Sequence, residues 1–359
     1  MKKMTILLAG ALAASLAHAQ TEVLTGVTRG KEYGVTYTLP KTQIEIEVKA
    51  RRVTYTPGEF SKYADRYLRL NGVSTDPDTH WELATIGVRS VGLPNADATY
   101  FVKLKDRTSA PLMELTADGL PKSINVPYTP EPAQPATPPA AGTPAAASQA
   151  NPRDFLTEEI LMAGSTAKMA ELVAKEIYNI RDSRNALLRG QADNTPSDGQ
   201  QLKLMLDNLN RQEEAMTKMF SGTRAEEERT FTFRITPDKE LADTVAFRFS
   251  TKLGVVPNDD LAGAPYFLSV KDLKTVTIPA EDDKKKKELE GVAYNVPGQA
   301  LVTLTDSHRK PLFEGELPVT QFGTREYLAS VLFNKNYTIK VYFNPNTGSL
   351  LKVEREEGK

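Results

Sequence analysis

Histidine is the scarcest residue that could serve in catalysis or hold a metal. The sequence has three histidines and no cysteine, which excludes thiolate catalysis, zinc–thiolate sites and disulfides. A Ser-His-Asp hydrolase would depend on His80 or His308, because His18 lies in a predicted signal peptide. Neither G-x-S-x-G nor H-E-x-x-H occurs. His308 stands among charged residues of a predicted turn, which indicates a solvated side chain.

A second group of chemically active side chains precedes the strand predicted at Trp81. Asp76, Asp78 and His80 alternate along the chain, and hard oxygen ligands with an imidazole could hold a metal ion. The same residues also suit a polar loop. The stretch lacks the glycine and the distant bidentate carboxylate of a calcium loop. Both interpretations stay open, and the sequence predicts no cofactor.

The densest cluster of charged side chains lies near the middle of the chain, and we call it the polar tip. It consists of Arg181, Asp182, Arg184, Arg189, Asp193 and Asp198. Arg181 and Arg184 share one face of a helix at i,i+3 spacing. One interpretation is that these side chains cap helices and form salt bridges that shape the turn. The other is that a rigid polar end recognises a partner.

Two predicted helices carry the polar tip. The first starts at Asp154 or Thr157 and ends at Gly190, which is typical of a left-handed C′ residue. The second opens with Thr195-Pro196-Ser197-Asp198 and ends at Gly222. Apolar residues recur at helical spacing on one face of each helix. These are Met169, Leu172, Val173, Ile177, Ile180 and Leu187 in the first, and Leu202, Met205, Leu206, Leu209, Met216, Met219 and Phe220 in the second. Because the connection is short, the helices should be antiparallel.

Almost everything on either side of the helices alternates between apolar and polar residues, which is typical of strands. We therefore predict a β-rich α+β protein with two antiparallel, sandwich-like β domains and a long helical hairpin between them in sequence. The predicted divisions are a signal peptide at 1–19, an N-terminal β domain at 20–127, a Pro/Ala-rich linker at 128–152, the helical hairpin at 153–223 and a C-terminal β domain at 224–359. The hairpin should pack with the C-terminal domain. Whether the two β domains are duplicates stays open.

The N-terminus and the charge balance restrict location and partners. Met1-Lys2-Lys3, an apolar run and Ala17-His18-Ala19 form the pattern of a cleavable signal peptide, with Gln20 as the first mature residue. The protein is therefore expected in the periplasm, at the cell surface or outside the cell. With 45 basic and 46 acidic residues, the chain lacks the positive charge that nucleic acid attracts. No later stretch is apolar for the roughly 20 residues of a membrane span.

The sequence contains four distinctive runs, NIRDSRNALLRGQADNTPSDG, PGEFSKYADRYL, VPGQALVTLTD and ELPVTQFG. Together they resemble an uncharacterised family of exported proteins from Bacteroides and its relatives. The resemblance covers nearly the whole mature chain. It implies export and one shared architecture, and it implies no activity and no site.

Two functions remain open from the sequence. The first is a non-enzymatic envelope or secreted protein that binds another protein or a glycan. The second is a carboxylate-dependent hydrolase acting on glycans, which would need two carboxylates about 5 to 10 Å apart in a cleft. The scarcity of histidine and the absence of cysteine favour the first.

Overall fold

The computed structural model describes residues 34–103, 113–128, 151–193, 196, 198–277, 291–329, 332–333 and 337–357. The predicted signal peptide and positions 129–150 of the predicted linker lie outside the described residues. The β-rich α+β class is confirmed, with antiparallel sheets and a helical pair in the middle of the sequence. No helix in the described part of the chain is long and apolar enough to cross a membrane.

Twelve strands are described. Their bounds are β1 Gly34–Thr56, β2 Asp78–Lys103, β3 Met113–Leu115, β4 Pro121–Ile124, β5 Thr223–Ile235, β6 Leu241–Ser250, β7 Gly254–Val256, β8 Ala264–Asp272, β9 Gly291–Thr305, β10 Pro311–Ala329, β11 Tyr337–Phe343 and β12 Leu350–Glu357. Within the described ranges they form three antiparallel sheets, ordered β2-β1-β5, β10-β9-β8-β6-β7 and β12-β11-β4-β3. Strands β9 and β10 pair antiparallel as one hairpin, and β11 and β12 pair antiparallel as another.

The first two sheets pack face to face as a sandwich. Alternation places Ile44, Ile46 and Val48 of β1 on the inner face, where each is fully buried. They belong to one core with Phe247 of β6 and Leu268 of β8. This burial of apolar side chains from both sheets is the main force that holds the sandwich together.

Strand β1 is long enough to contribute side chains to two hydrophobic cores. Its first residues, including Tyr37 and Leu39, lie in a second core with strands of the third sheet, such as Val341 and Phe343 of β11. The Tyr37 hydroxyl donates to the carbonyl of Ala293 at 3.1 Å, which satisfies a buried polar group. The strand therefore ties all three sheets into one structure.

A buried carboxylate marks the outer face of the first sheet. Glu45 of β1 lies directly between Arg89 of β2 and Arg234 of β5 in the strand registers. Arg89 Nη2 and Arg234 Nε donate to its two oxygens at 2.5 and 2.8 Å. Burial disfavours the charged form of Glu45, but these hydrogen bonds outweigh it and hold the pKa of Glu45 below its usual value.

Four α-helices are described, at α1 Ala64–Leu68, α2 Glu158–Leu161, α3 Thr166–Leu188 and α4 Gly199–Ser221, with short 3-10 turns at Ser61–Tyr63 and Pro152–Phe155. The first long helix is shorter than predicted. Gly164 has low helix propensity and Ser165 caps a new start by accepting from the Lys168 N–H at 3.2 Å. Gly190 has φ of 66°, as predicted for a residue that ends a helix.

The helices pack against a different partner from the one expected. Val173 and Ile177 of α3 and Phe220 of α4 share a core with Phe60 and Leu68, which follow β1. No residue after Phe220 belongs to this core among the described residues. Phe60 and Phe220 meet with ring centroids 5.4 Å apart. Apolar periodicity reveals which face of a helix is buried but not what covers it.

Sheet pairing crosses the predicted linker. Strand β5 pairs with β1 along thirteen residues from Ile44↔Ile235 to Thr56↔Thr223, and β11 pairs with β4. Strands from before and after the helices therefore share two of the three sheets that are described. The division of the chain at 127 and 152 stays a prediction.

Candidate binding groove on the helical pair

The outer part of the helical pair extends beyond its core. The last buried residues of α3 are Ile180 and Leu187, and α4 has no buried residue before Ala215. The segment of α3 after Ile180, about 12 Å long at 1.5 Å per residue, therefore contributes little to the helical core. Leu188 and Leu204 are 63% and 61% exposed there. Such an extension adds little to the main core and presents side chains to solvent.

An open cavity of about 540 Å³ lies where α3, α4 and the first residues of β5 meet. We call it the cationic groove, and the residues that define it are Arg181, Arg184, Glu213, Glu214, Lys218 and Arg224. Four cations face two carboxylates, so the groove carries a net positive charge of two. This groove brings together side chains from three consecutive elements, α3, α4 and β5.

Glu213 bridges two guanidinium groups across the groove. Arg181 Nε donates to Oε1 at 2.6 Å, and Arg184 Nη1 donates to Oε2 at 2.5 Å. Arg184 Nη1 also donates to the Asn210 side chain at 3.1 Å. The Glu213 side chain is only 16% exposed, so both its oxygens are held by charge-assisted hydrogen bonds with little competition from water.

The remaining cations differ in how they are paired. Lys218 Nζ lies 2.7 Å from Glu214 Oε1, one helical turn away. The Arg224 guanidinium lies 6.0 Å from the ring centroid of Tyr55, and it has no carboxylate partner among the described residues. Arg224 is therefore the cation most available to an incoming anion.

The sheet fixes the position of Arg224. Helix α4 runs into β5 through the single residue Gly222, and Tyr55 of β1 lies opposite Arg224 in the ladder. The Tyr55 hydroxyl lies 3.1 Å from the carbonyl of Ser221, which accepts from it. These contacts attach the base of the helical pair to the sandwich, so the distances across the groove are set by rigid elements.

A second cavity, of about 580 Å³, lies nearer the turn between the helices. Leu187, Asp193, Met205 and Leu209 are among the residues that line it. Its lining is more apolar than that of the cationic groove. The two cavities make the pair a surface with one charged and one apolar recess.

The six residues of the polar tip have separate surroundings. Arg181 and Arg184 enter the cationic groove, and Asp193 lines the second cavity. Asp198 caps α4 by accepting from the Gln200 N–H at 3.0 Å. Asp182 and Arg189 are exposed. A binding role for the whole set stays a prediction.

Sequence reasoning missed the half of the groove that comes from α4 and β5. Asn210, Glu213, Thr217 and Ser221 recur every three or four residues and so form a polar stripe on one helix face. That stripe could have been recognised in the sequence as a polar face of the second helix. Arg224 gave no signal, because its approach to the helices depends on how β5 pairs with β1.

His80 lies between two carboxylates on the exposed face of β2. Its Nδ1 is 2.6 Å from Asp78 and its Nε2 is 3.1 Å from Glu82. The backbone of Asp76 instead forms a local turn with the Ser74 hydroxyl. Within the described ranges, no group of three or more His, Cys, Asp or Glu side chains could hold a metal ion. The metal site at Asp76, Asp78 and His80 stays a prediction without structural support.

The two carboxylates beside His80 change its pKa. Asp78 first and Glu82 second raise the pKa of His80 above its usual value. This contact therefore stabilises the fold below about pH 6.5, and its contribution disappears as pH rises through the raised pKa. In an NMR titration, Asp78→Asn should lower the His80 midpoint, whereas Asp76→Asn should leave it unchanged. An equal decrease in both variants would contradict the geometry.

A family model described as a domain of unknown function (DUF4831) matches residues 33–351. That span covers most of the 359 residues. The chain belongs to the DUF4831 family. No curated protein and no solved structure matches it. The DUF4831 span contains both cavities and the His80 face, and the family's description assigns no activity to any of them.

Proposed function

We propose that this DUF4831 protein is an exported, non-enzymatic binding protein of a bacterium related to Bacteroides. It acts in the envelope or outside the cell, where it binds another protein or a glycan through its helical pair. The signal-peptide pattern at 1–19 and the four family-like runs support export and origin. They are independent of the argument for binding, which rests on the geometry of the groove.

The observation that carries the proposal is the cationic groove on an extended helical pair. An open recess lined by ion-paired side chains on rigid helices offers oriented charges to a partner without refolding. The exposed apolar residues Leu188, Leu204 and Met205 lie on the same outer part of the pair. Charged and apolar groups on one exposed element are the composition that protein recognition uses.

The groove favours binding over hydrolysis. A glycoside hydrolase needs one carboxylic acid that donates a proton and a second carboxylate that attacks or activates water. Glu213 has both oxygens bound by arginine, and Glu214 is paired with Lys218. His80 and His308 do not line the groove. These fixed ion pairs suit recognition better than proton transfer.

Affinity capture tests the proposal. The mature chain, from Gln20, is immobilised and exposed to the envelope fraction of the source bacterium. We expect a partner to be retained by the native chain and reduced at least tenfold by Arg181→Ala/Arg184→Ala, since every 1.4 kcal/mol of lost binding is tenfold. The native protein should be recovered from the same fraction, with Gln20 as its first residue.

The matched control is Lys203→Ala/Arg211→Ala, which removes two cations from exposed positions of α4 outside the groove. Circular dichroism of each variant confirms that the helices persist. Equal capture by the native chain and the groove variant would refute the proposal. So would the absence of any retained partner, or an equal loss in the control.

A further inference from the structure

We propose that the cationic groove binds the carboxylate side chains of an acidic peptide segment in a partner protein. This inference rests on the proposed function and specifies the chemistry of the partner. It is carried by the surplus of positive charge, by unused donors on the arginines, and by the mixed lining of the groove.

The groove has donors that its own carboxylates leave unused. A guanidinium carries five N–H groups. Arg181 uses only Nε and Arg184 only Nη1 for hydrogen bonds within the part of the chain that the structure describes. The other N–H groups of both guanidinium groups have no hydrogen-bond partner in the described part of the chain. A second carboxylate can therefore bind them without displacing Glu213.

Glu213 demonstrates which anion these arginines accommodate. Its two oxygens take one N–H from each guanidinium at 2.6 and 2.5 Å. The Asp or Glu side chains of a peptide provide the same group, and they can accept from the guanidinium N–H groups that Glu213 leaves unused. Arg181, Arg184 and Lys218 are each only about a third exposed, so an ion pair formed there is less weakened by water than one on an open surface.

Arg224 and Thr217 extend the recess toward the sandwich. Arg224 lacks a carboxylate partner among the described residues and lies at the β5 end of the groove. Thr217 lines the groove, and its hydroxyl oxygen is buried without a hydrogen-bond partner in the described structure. A buried polar atom in this state is costly. If the Thr217 side chain turns toward the recess, its hydroxyl can donate to a ligand oxygen, and that bond would relieve the cost.

The mixture of charges favours a peptide over a dense polyanion. Closely spaced phosphates or sulfates would meet Glu213 and Glu214 as well as the cations. A peptide presents separate carboxylates for Arg224 and Lys218, and its backbone N–H groups can donate to Glu214 and Asn210. The groove therefore matches alternating acceptors and donors better than uniform negative charge.

Fluorescence anisotropy with two labelled peptides tests this inference. The first has the sequence Gly-Glu-Glu-Gly-Glu-Glu-Gly, and the second has glutamine in place of each glutamate. At low salt, we expect the native chain to bind the glutamate peptide at least tenfold more tightly. Lys218→Gln/Arg224→Gln should weaken that preference, because two of the four groove cations are lost, whereas Lys203→Gln/Arg211→Gln should retain it. The first variant keeps the Arg181–Glu213–Arg184 bridge, so the helical pair stays folded.

Equal affinity for the two peptides, or unchanged glutamate binding in the groove variant, would overturn the inference. Tighter binding of polygalacturonate than of the glutamate peptide would also overturn it, in favour of an acidic glycan. Failure here is distinguishable from failure of the proposed function. A partner captured through Arg181 and Arg184, with no preference for glutamate, refutes the peptide chemistry alone. If the native chain retains no partner from the envelope fraction, the broader proposal is refuted.

Discussion

Replacing Gly222 by alanine should destabilise the attachment of the helical pair more than any other change at a glycine of the pair. Gly222 has φ of 76° and ψ of −174°, a conformation almost restricted to glycine that costs a residue with Cβ about 1–3 kcal/mol. An added Cβ would also lie 2.5 Å from the Thr56 carbonyl oxygen and 2.8 Å from the Tyr55 ring. Backbone displacement to relieve these contacts adds about 1–3 kcal/mol.

Gly190→Ala is the matched control for Gly222→Ala. Gly190 also has a positive φ, at 66°, but its added Cβ would meet nothing within 4 Å. It should therefore cost only the conformational part, about 1–2 kcal/mol. Urea denaturation monitored by circular dichroism measures both costs. A cost for Gly222→Ala no larger than that for Gly190→Ala would contradict the close approach at the base of the pair.

Phe220→Ala should remove most of the stability of the helical core. The Phe220 side chain is fully buried and contacts Phe60. Truncating a buried phenylalanine costs about 3–5 kcal/mol, because transfer energy is lost and a cavity remains. Phe220 belongs to the helical core and to neither of the sheet cores. We therefore expect the helices to unfold before the sandwich in this variant.

Two signals separate those transitions. Helical circular dichroism follows the pair, and fluorescence of the single tryptophan, Trp81, follows the sandwich core in which it lies. Leu204→Ala is the control, since Leu204 is 61% exposed on the same helix and should change stability by only about 0.5 kcal/mol. A cost below about 1 kcal/mol for Phe220→Ala would refute its central place in the helical core.

Local sequence patterns predicted the helices well, because capping and apolar periodicity act over a few residues. Gly190 follows the last turn of α3 as predicted. The second helix was predicted to open at Thr195, but α4 begins at Gly199 and Asp198 is its N-cap. The stripe of α3 from Val173 to Ile180 is buried as predicted. The interruption at Gly164 and Ser165 was missed, since a single capping serine inside an otherwise helical stretch is a weak signal.

Local sequence patterns could not predict which strands pair when they lie far apart in the chain. Nothing in the composition of β5 indicates that it pairs with β1 across the helices, and that pairing sets Arg224 beside Tyr55. The polar tip was predicted as one cluster at the turn. Arg181 and Arg184 are instead joined through Glu213, because antiparallel helices bring residues far apart in sequence to one level.

Site-specific photo-cross-linking tests the central claim, that the cationic groove is where the partner binds. A photoreactive residue is placed at Asn210, which is exposed and lines the groove, or at Leu351 of β12, which is 56% exposed and distant from it in the fold. Each purified chain is irradiated with the envelope fraction. We expect a covalent adduct from position 210 and none from position 351. An adduct from position 351 with none from position 210 would contradict it.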